Sequence, residues 1–317
     1  MRAALYDRFG PPEVLYVGTV PVPDVRPDDV LVRVHAVGVN GGELFGRAGK
    51  VRLATGRRFP QRTGIDFAGE IAEVGPSVSG VRVGERVWGV LPRRLGSAAE
   101  YVAVSPRNIS PAPANLTPEE GVSLLAGGTT SLTALTAKSG LGPGERLLVR
   151  GGVGSVAVQL GKVLGAHVTA LAGAKNLDFV RGLGADEAFD YRATDPAGLG
   201  TFDVVLDTVG TQHRAYRRLL APGGRMVAVA FDVDRLVPSV SYLLASAVHG
   251  SRRVRFFSGN PHTELLTRVA RYAQEGGIRP VVDTVHPLAE VAAAHRALDD
   301  GGVRGKHVIR IAGPAGG

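Results

Sequence analysis

The stretch that decides the fold is residues 145–171, ERLLVRGGVGSVAVQLGKVLGAHVTAL. The apolar run at 147–149 has the length and composition of a short strand that is buried on both faces. Glycines follow at once, and apolar side chains then recur at helical spacing over residues 155–164. Gly165 stands where a glycine commonly ends a helix, and a second β-rich run begins at His167. The sequence therefore predicts a strand, a glycine turn, a helix and a second strand.

The glycine turn has the chemistry of a dinucleotide site. Gly152, Gly154 and Ala157 satisfy the pattern G-x-G-x-x-[G/A]. Glycine lets the backbone approach a pyrophosphate closely, and the free N–H groups of the helix N-terminus then face the phosphates. We therefore expect Gly152, Val153 and Gly154 to bind the cofactor. The pattern is weak by itself in a chain with 44 glycines, although its place between a strand and a helix strengthens it; the alternative is a tight turn that binds no nucleotide.

Length and composition narrow the class of protein. A chain of 317 residues with 44% hydrophobic residues is long enough for two folded domains. The absence of cysteine excludes disulfides, thiolate zinc sites and a cysteine nucleophile. The start of the chain has no signal-peptide pattern, and no run approaches the roughly 20 apolar residues of a membrane helix. We expect a cytoplasmic protein with no membrane partner.

The net charge of +8 permits two interpretations. It can reflect attraction to anionic ligands or nucleic acid, or simply a solvated surface rich in arginine. The arginines are dispersed along the chain rather than gathered in a basic tail, and no aromatic RNA-binding signature accompanies them. A solvated surface is therefore the favoured interpretation, and nucleic acid is not the expected partner.

Two parts of the chain differ in pattern. Residues 1–122 contain many short β-runs broken by Gly and Pro, such as 30–39, 66–74 and 86–90, which is typical of a compact barrel-like domain. Within residues 123–260 strands alternate with helices, the first of them expected over residues 123–137, which predicts a doubly wound parallel sheet. We expect residues 261–317 to return to the first domain. The predicted class is α/β, with a doubly wound parallel sheet and a separate β-rich domain.

Eight short motifs occur along the chain in a specific order. They are VNGGE (39–43), GIDFAGE (64–70), GERV (84–87), AEY (99–101), LGAD (183–186), DYR (190–192), PGGR (222–225) and GK (305–306). Over nearly the whole chain this order resembles the zinc-independent quinone oxidoreductase branch of the medium-chain dehydrogenases/reductases. The resemblance implies a GroES-like catalytic domain and a Rossmann domain. The chain departs from the family where Arg150 runs directly into Gly151, because the family usually has several more residues there.

The resemblance also implies a reaction and residues for it. Hydride transfer from a bound nicotinamide would proceed without a metal, in the cleft between the domains. Asn40 matches the cleft asparagine and Thr130 a threonine on the nicotinamide side, so both are predicted catalytic residues. Phe257 and Ser258 lie in the segment that passes the nicotinamide. Each of these residues also has a structural alternative. Asn40 can be a turn former, Thr130 a helix-terminus hydroxyl, and the phenylalanines at 256–257 core residues.

The choice of cofactor follows from the residues after the second strand. An NAD site places Asp or Glu there to hold the ribose 2′-hydroxyl, whereas this chain has Ala172, Gly173, Ala174 and Lys175. A lysine attracts a 2′-phosphate that a carboxylate would repel. By resemblance, Lys175 and Tyr191 match the 2′-phosphate contacts. The predicted cofactor is NADPH; the alternative is that Lys175 is an ordinary surface lysine.

These observations together predict an NADPH-dependent oxidoreductase that reduces a quinone or another electron-poor enone by hydride transfer. Two alternatives stay open. One is a tailoring enoyl or ketone reductase of a biosynthetic pathway. The other is a non-catalytic protein that binds NADPH or nucleic acid. In the family the strand near residues 253–257 often pairs across a dimer, so a homodimer is expected.

Overall fold

The structure, a computed structural model, describes residues 1–52, 56, 58–92, 94–151, 154–230, 242, 254–257, 259 and 261–311. The chain divides into two compact units. The β-rich unit comprises Met1–Ala126, Asn260–Gly276 and Pro280–Gly317, and the parallel-sheet unit comprises Gly127–Gly259 and Gly277–Arg279. In the part of the chain that the structure describes, every helix is too short or too polar to cross a lipid bilayer.

Among the described residues, the first part of the β-rich unit consists of short strands and a helix, besides two 3-10 turns. The strands and the helix are β1 (Arg2–Tyr6), β2 (Tyr16–Thr19), β3 (Val30–Gly38), α1 (Gly41–Arg47), β4 (Gln61–Arg62), β5 (Asp66–Val74), β6 (Arg86–Val90), β7 (Tyr101–Val104) and β8 (Ile109–Pro111).

Helix α2 (Pro118–Leu132) carries the chain from the β-rich unit into the parallel-sheet unit. Its start is a capping box, in which Thr117 Oγ1 accepts a hydrogen bond from the Glu120 N–H while the Glu120 carboxylate accepts one from the Thr117 N–H. The helix that the apolar pattern predicts from residue 123 therefore begins at Pro118, because the capping box lies before that pattern. The chain then continues as a π-helical segment, Thr133–Lys138.

The parallel-sheet unit alternates strands with helices, as the sequence predicts. Its elements are β9 (Arg146–Arg150), α3 (Gly154–Val163), β10 (His167–Ala172), α4 (Leu177–Gly182), β11 (Glu187–Asp190), β12 (Phe202–Asp207), α5 (His213–Arg218), β13 (Leu220–Ala228) and β14 (Val254–Phe256).

The six strands described for this unit form one parallel sheet in the order β11-β10-β9-β12-β13-β14. This is the doubly wound order, which confirms the predicted Rossmann sheet. The order reverses between β9 and β12, so the carboxyl ends of these two strands mark the topological switch point. Ligands of open α/β sheets bind at that end.

The chain returns to the β-rich unit through four further elements. They are α6 (Thr263–Gln274), β15 (Val282–Pro287), α7 (Val291–Asp300) and β16 (Lys306–Arg310). A seven-stranded sheet follows the order β15-β16-β3-β5-β6-β8 with β7 paired to β3, and a smaller sheet has the order β2-β1-β4. Phe67, Ile71 and Ile309 are fully buried between these elements. The GroES-like, β-rich fold predicted for this part is confirmed.

Candidate functional site

The glycine turn joins β9 to α3 through only three residues, 151–153. Gly151 has φ +97°, and a Cβ atom there would lie 2.6 Å from Thr208 Oγ1 and 2.6 Å from Val209 Cγ2. Only glycine therefore fits, because the backbone conformation and the space both exclude a side chain. Gly154 is the first residue of α3, and its N–H donates to the Gly151 carbonyl over 2.9 Å. Gly152 and Val153 lie outside the described residues.

A buried ion pair joins the two strands of the switch point. Arg150, at the end of β9, is 7% exposed, and Asp207, at the end of β12, is fully buried. Arg150 Nη1 donates to Asp207 Oδ1 over 3.0 Å and to the Thr211 carbonyl over 2.5 Å, while Nη2 donates to Thr211 Oγ1 over 3.2 Å. The guanidinium also stacks 3.9 Å above the centre of the Tyr216 ring. It thus holds the residues after β12 against the end of β9.

Asp207 has further partners besides this guanidinium. Its Oδ1 accepts hydrogen bonds from the N–H groups of Val209 and Gly210, over 3.0 and 3.3 Å. Its Oδ2 lies 3.2 Å from Nε2 of the buried His213. A carboxylate at this depth needs such partners, since an unpaired buried charge is strongly unfavourable. The loop that follows β12 is therefore organised around one carboxylate.

Lys175 and Tyr191 follow neighbouring strands at the same end of the sheet. Ala172, the last residue of β10, is in register with Asp190, the last residue of β11. The Tyr191 N–H donates to the Ala172 carbonyl over 3.1 Å, and the half-exposed Tyr191 ring lies beside Gly173. Lys175 lies in the short 3-10 turn Ala174–Asn176. The two predicted 2′-phosphate contacts are thus placed on adjacent loops.

Thr130 and Phe257 are half-buried residues of the parallel-sheet unit. Thr130 lies inside α2, three residues before the π-helical segment Thr133–Lys138, rather than at a helix terminus. Such π-helical insertions are frequent at functional sites. Phe257 directly follows β14, and Ser258 lies outside the described residues. The cofactor and catalytic roles of these residues stay predictions.

Asn40 belongs to the β-rich unit and is 8% exposed. Its Nδ2 donates to Glu43 Oε1 over 2.9 Å and to the Gly38 carbonyl over 3.2 Å, and it lies 3.3 Å from Asp66 Oδ2. Its Oδ1 accepts a hydrogen bond from Lys306 Nζ over 2.5 Å. The amide orientation is fixed, because acceptors surround the nitrogen and an ammonium faces the oxygen.

Two buried carboxylates support this amide. Glu43 Oε2 accepts hydrogen bonds from Thr63 Oγ1 and the Gly64 N–H, over 2.9 and 3.0 Å, and Asp66 Oδ1 accepts one from the Gly38 N–H over 2.7 Å. Burial, with the Asp66 carboxylate as a second cause, raises the pKa of Glu43 to about 7. Burial also raises the pKa of Asp66, and the Lys306 ammonium counteracts that shift.

Lys306 supplies positive charge beside these carboxylates, and Arg47 lies in a neighbouring buried ion pair. Burial lowers the pKa of Lys306, while the carboxylates of Asp66 and Glu43 raise it. Arg47 is buried and donates from Nη2 to Asp299 Oδ2 over 2.7 Å. The fully buried His295 lies 3.4 Å from Arg47 Nη1. Burial first, and then the Arg47 charge, lowers the pKa of His295 to about 3, so this imidazole is neutral at ordinary pH.

The sequence alone did not assign these charged residues a role. In the sequence, Glu43 and Lys306 are recognisable only as members of short motifs, and Arg150 only as a departure from the family pattern. A signal was present for two of them, since Arg150 and Asp207 each end an apolar strand run. Gly305 before Lys306 is also explained, because it has φ +101° and a Cβ atom there would lie 2.2 Å from the Val281 carbonyl oxygen.

Histidine and carboxylate side chains are the groups of this chain that could form a metal centre. Within the residues that the structure describes, no three His, Asp or Glu side chains are arranged to hold a metal ion, and the sequence has no cysteine. His35 Nε2 lies 3.8 Å from Glu70 Oε2, and burial lowers the pKa of this imidazole. His167 lies beside Asp186 in a similar surface pair. Metal-free chemistry stays a prediction.

Comparison with known proteins gives matches to both units. A family model described as an alcohol dehydrogenase GroES-like domain matches residues 26–114, and one described as a zinc-binding dehydrogenase matches residues 183–309. The 2-methylene-furan-3-one reductase of Solanum lycopersicum is 32% identical over 98% of this chain and 79% of its own. The NADPH-dependent alkenal/one oxidoreductase of Arabidopsis thaliana chloroplasts is 31% identical, with the same two coverages.

A solved structure extends this similarity to three dimensions. The quinone oxidoreductase from Coxiella burnetii superposes with a TM-score of 0.90 at 30% identity, over 98% of this chain and 99% of that one. The doubly wound sheet, the β-rich domain and the order of motifs agree with these matches. The chain belongs to the quinone oxidoreductase branch of the medium-chain dehydrogenase/reductase superfamily.

Proposed function

We propose that the protein is an NAD(P)H-dependent oxidoreductase that prefers NADPH and reduces an electron-poor acceptor by hydride transfer without a metal. The observation that carries the proposal is the carboxyl edge of the doubly wound sheet. There a glycine-only turn at Gly151 meets the switch point, and Lys175 and Tyr191 follow β10 and β11. No acid stands in residues 172–176, where an NAD site would place one.

The cofactor would be held by groups at this edge. Gly152, Val153 and Gly154 would contact the pyrophosphate, and the N-terminus of α3 would face it. Lys175 and Tyr191 would contact the 2′-phosphate, while Phe257 and Ser258 would lie along the nicotinamide. When bound, the nicotinamide supplies the hydride. The protein supplies position and electrostatics.

Two side chains are proposed to orient the reacting groups. Asn40 Oδ1 has a second lone pair besides the one that Lys306 engages, so it can accept one more hydrogen bond, for example from the carboxamide. Because Glu43 and Lys306 fix this amide, it needs little reorganisation when a ligand arrives. The half-buried Thr130 hydroxyl would contact the nicotinamide side of the site.

The acceptor would be a quinone or the C=C bond of an enone. The names of the relatives cover both classes, since one is a quinone oxidoreductase and two reduce an alkenal/one or a methylene-furanone. The second candidate function, a tailoring enoyl reductase, draws on the same two reductases. Turnover of simple quinones and enones would support the first, and turnover confined to enoyl thioesters would support the second.

The proposal includes an organisation of the chain. Residues 1–122 and 261–317 would form the catalytic domain, and residues 123–260 would bind NADPH in a cytoplasmic homodimer. The dimer is carried over from the family, in which the strand near residues 253–257 often pairs across a dimer. Sedimentation of the purified protein would test this part.

The first test is a fluorescence titration with NADPH and, separately, NADH. We expect NADPH to bind roughly tenfold or more tightly than NADH, since a charge-assisted contact is worth about 1.5–3 kcal/mol. Lys175→Gln should abolish this preference, whereas the matched change Lys138→Gln should leave it. Binding of neither cofactor would refute the oxidoreductase proposal and leave the glycine turn with a structural role.

Turnover tests the chemistry. NADPH oxidation with quinones and enones should be unchanged after the protein is dialysed against a strong chelator, because no residue proposed for the reaction needs a metal. Loss of activity that returns with Zn²⁺ would overturn the metal-free part of the proposal. NADPH binding without turnover of any acceptor would favour the non-catalytic alternative.

A further inference from the structure

Two histidines lie side by side on the last two strands of the β-rich unit. In the parallel ladder of β15 and β16, His286 is in register with Ile309, two residues after His307. The side chains of His286 and His307 therefore share one face of the sheet. Their ring centres are 5.5 Å apart, with an interplanar angle of 64°. Both rings are largely enclosed, since the His286 side chain is 12% exposed and His307 is 6% exposed.

Each of these rings has one buried nitrogen without a hydrogen-bond partner. They are Nε2 of His286 and Nδ1 of His307. Such atoms are rare in folded proteins, because burial removes their hydrogen bonds to water and nothing replaces them. Two of them on neighbouring rings indicate that a bound water or an ion belongs at this place.

The other nitrogen of each ring faces an acceptor. His286 Nδ1 lies 3.7 Å from Glu290 Oε2, so this carboxylate favours a proton on Nδ1. The Ala297 carbonyl accepts a hydrogen bond from the His307 ring, and the donor is Nε2 because Nδ1 has no partner. In the neutral rings the two unpartnered nitrogens therefore carry lone pairs. Histidines that bind a metal have this arrangement, in which the second nitrogen donates to a carboxylate or a carbonyl.

The distance between the rings fits a metal ion. Zn–N bonds of about 2.0–2.1 Å and a tetrahedral angle place two imidazole centres about 5.2 Å apart, close to the 5.5 Å in the structure. A histidine ligand must be neutral. Burial lowers the pKa of His307, and the neighbouring His286 acts in the same direction. Spacing and protonation state therefore both suit a shared ion.

Carboxylates beside both rings favour a cation over a neutral water. Glu290 lies beside His286, and the Asp283 carboxylate raises the pKa of His307 against the effect of burial. The two oxygens of Asp283 accept hydrogen bonds from Thr284 Oγ1 and the Arg304 N–H, over 2.9 and 2.7 Å. Asp283 thus contributes charge rather than a third ligand, which agrees with the absence of a three-residue metal cluster among the described residues.

We propose that His286 Nε2 and His307 Nδ1 bind one Zn²⁺ ion, with water at its remaining positions. Imidazole suits zinc and its neighbours in the transition series, whereas Mg²⁺ and Ca²⁺ prefer oxygen ligands. The ion would join β15, the end strand of the described sheet, to β16, where their register shifts between Val282 and Thr284. It would take no part in hydride transfer, because His307 follows Lys306 and successive side chains of a strand point to opposite faces.

Calorimetric titration of the full, untagged chain with Zn²⁺ tests the proposal after a chelator has removed any metal. Mg²⁺ is the control ion. His286→Gln and His307→Gln each remove one ligand, and Glu290→Gln removes the carboxylate behind the first of them. His167→Gln is the matched control, because this half-exposed histidine also lies beside two carboxylates. Circular dichroism melts establish which variants are folded.

A second measurement needs no variant. In the wild-type protein labelled with ¹⁵N-histidine, Zn²⁺ should shift one Nε2 and one Nδ1 resonance on two different rings. These are the nitrogens that the structure leaves without partners. This spectrum decides the proposal even if a ligand variant does not fold.

We expect saturable one-site binding of Zn²⁺ and none of Mg²⁺. Each ligand variant and Glu290→Gln should bind Zn²⁺ roughly tenfold or more weakly, while His167→Gln should bind like the wild type. Zn²⁺ should also raise the melting temperature of the wild type but not that of His286→Gln. Absence of saturable binding would show that only water lies between the rings and would overturn the proposal. An equal loss in His167→Gln, or a zinc shift confined to other nitrogens, would overturn it as well.

Discussion

Removal of Arg150 is expected to destabilise the parallel-sheet unit by leaving the buried Asp207 carboxylate without its cationic partner. Breaking a buried ion pair in this way costs about 3–5 kcal/mol. The Val209 and Gly210 N–H groups and His213 still face the carboxylate, so we expect Arg150→Met to lie near the lower end, at about 3 kcal/mol. That corresponds to a fall of about 6–12 °C in the melting temperature of a unit of this size.

The assay is urea unfolding followed by far-ultraviolet circular dichroism, with Asp207→Asn and the double variant completing a cycle. The double variant should be more stable than the sum of the single changes predicts, by about 2 kcal/mol, because the two residues share one contact. Arg146→Met is the matched control. It lies at the other end of β9, where its guanidinium packs 5.1 Å above the Phe202 ring without a buried carboxylate. The reasoning would be refuted if Arg150→Met lowered the free energy of unfolding no more than Arg146→Met does. It would also be refuted if the effects of Arg150→Met and Asp207→Asn were additive.

Two further predictions concern the turn and the Asn40 network. Gly151→Ala should destabilise the protein by about 3 kcal/mol and weaken NADPH binding, because the new Cβ atom clashes with Thr208 and φ is positive. Gly182→Ala is the control and should not lower stability, because a Cβ atom there has no neighbour within 4 Å. Comparison of the two variants by urea unfolding and cofactor fluorescence checks this, and equal effects would contradict it. Glu43 has a raised pKa, so its contribution to stability should fall by about 3 kcal/mol as pH rises from about 4.5 to about 7. His295 has a lowered pKa, so its contribution to stability should rise as pH rises from about 3 to about 6.5. The test is therefore the difference in the free energy of unfolding between wild type and Glu43→Gln across pH. A difference that does not change with pH would contradict the assignment.

Much of the fold was predictable because it depends on local patterns. The bounds of β9, α3 and β10 agree with the sequence pattern within a residue or two. The pattern consists of the apolar run before the glycine turn, the helical spacing after it and the C-cap glycine Gly165 (φ +80°). Strands β5 and β6 have the predicted bounds. Hydrophobic periodicity predicts a start at residue 123 for the helix that begins at Pro118, because the true start depends on the capping residues Thr117 and Glu120.

The polar site was less predictable, because it depends on contacts between distant parts of the chain. Lys306 reaches Asn40 from a strand 266 residues further along, and Arg150 reaches Asp207 across 57 residues. Hydrophobic periodicity does not predict contacts between residues so far apart in the chain. Asn40 was predicted as a cleft residue, but the sequence gave no sign that its amide is already held by Glu43 and Lys306.

The pairing of β16 with β3 has a consequence for how the chain matures during synthesis. Gly38 is matched with Val308, 270 residues later, and β16 separates β3 from β15 in the same sheet. The parallel-sheet unit is translated between these partners. It can fold as soon as it leaves the ribosome, whereas the β-rich unit must wait with the edge of β3 open. Newly made protein should therefore depend on chaperones at β3, and a truncation between residues 280 and 305 should leave a folded parallel-sheet unit attached to an aggregation-prone remainder.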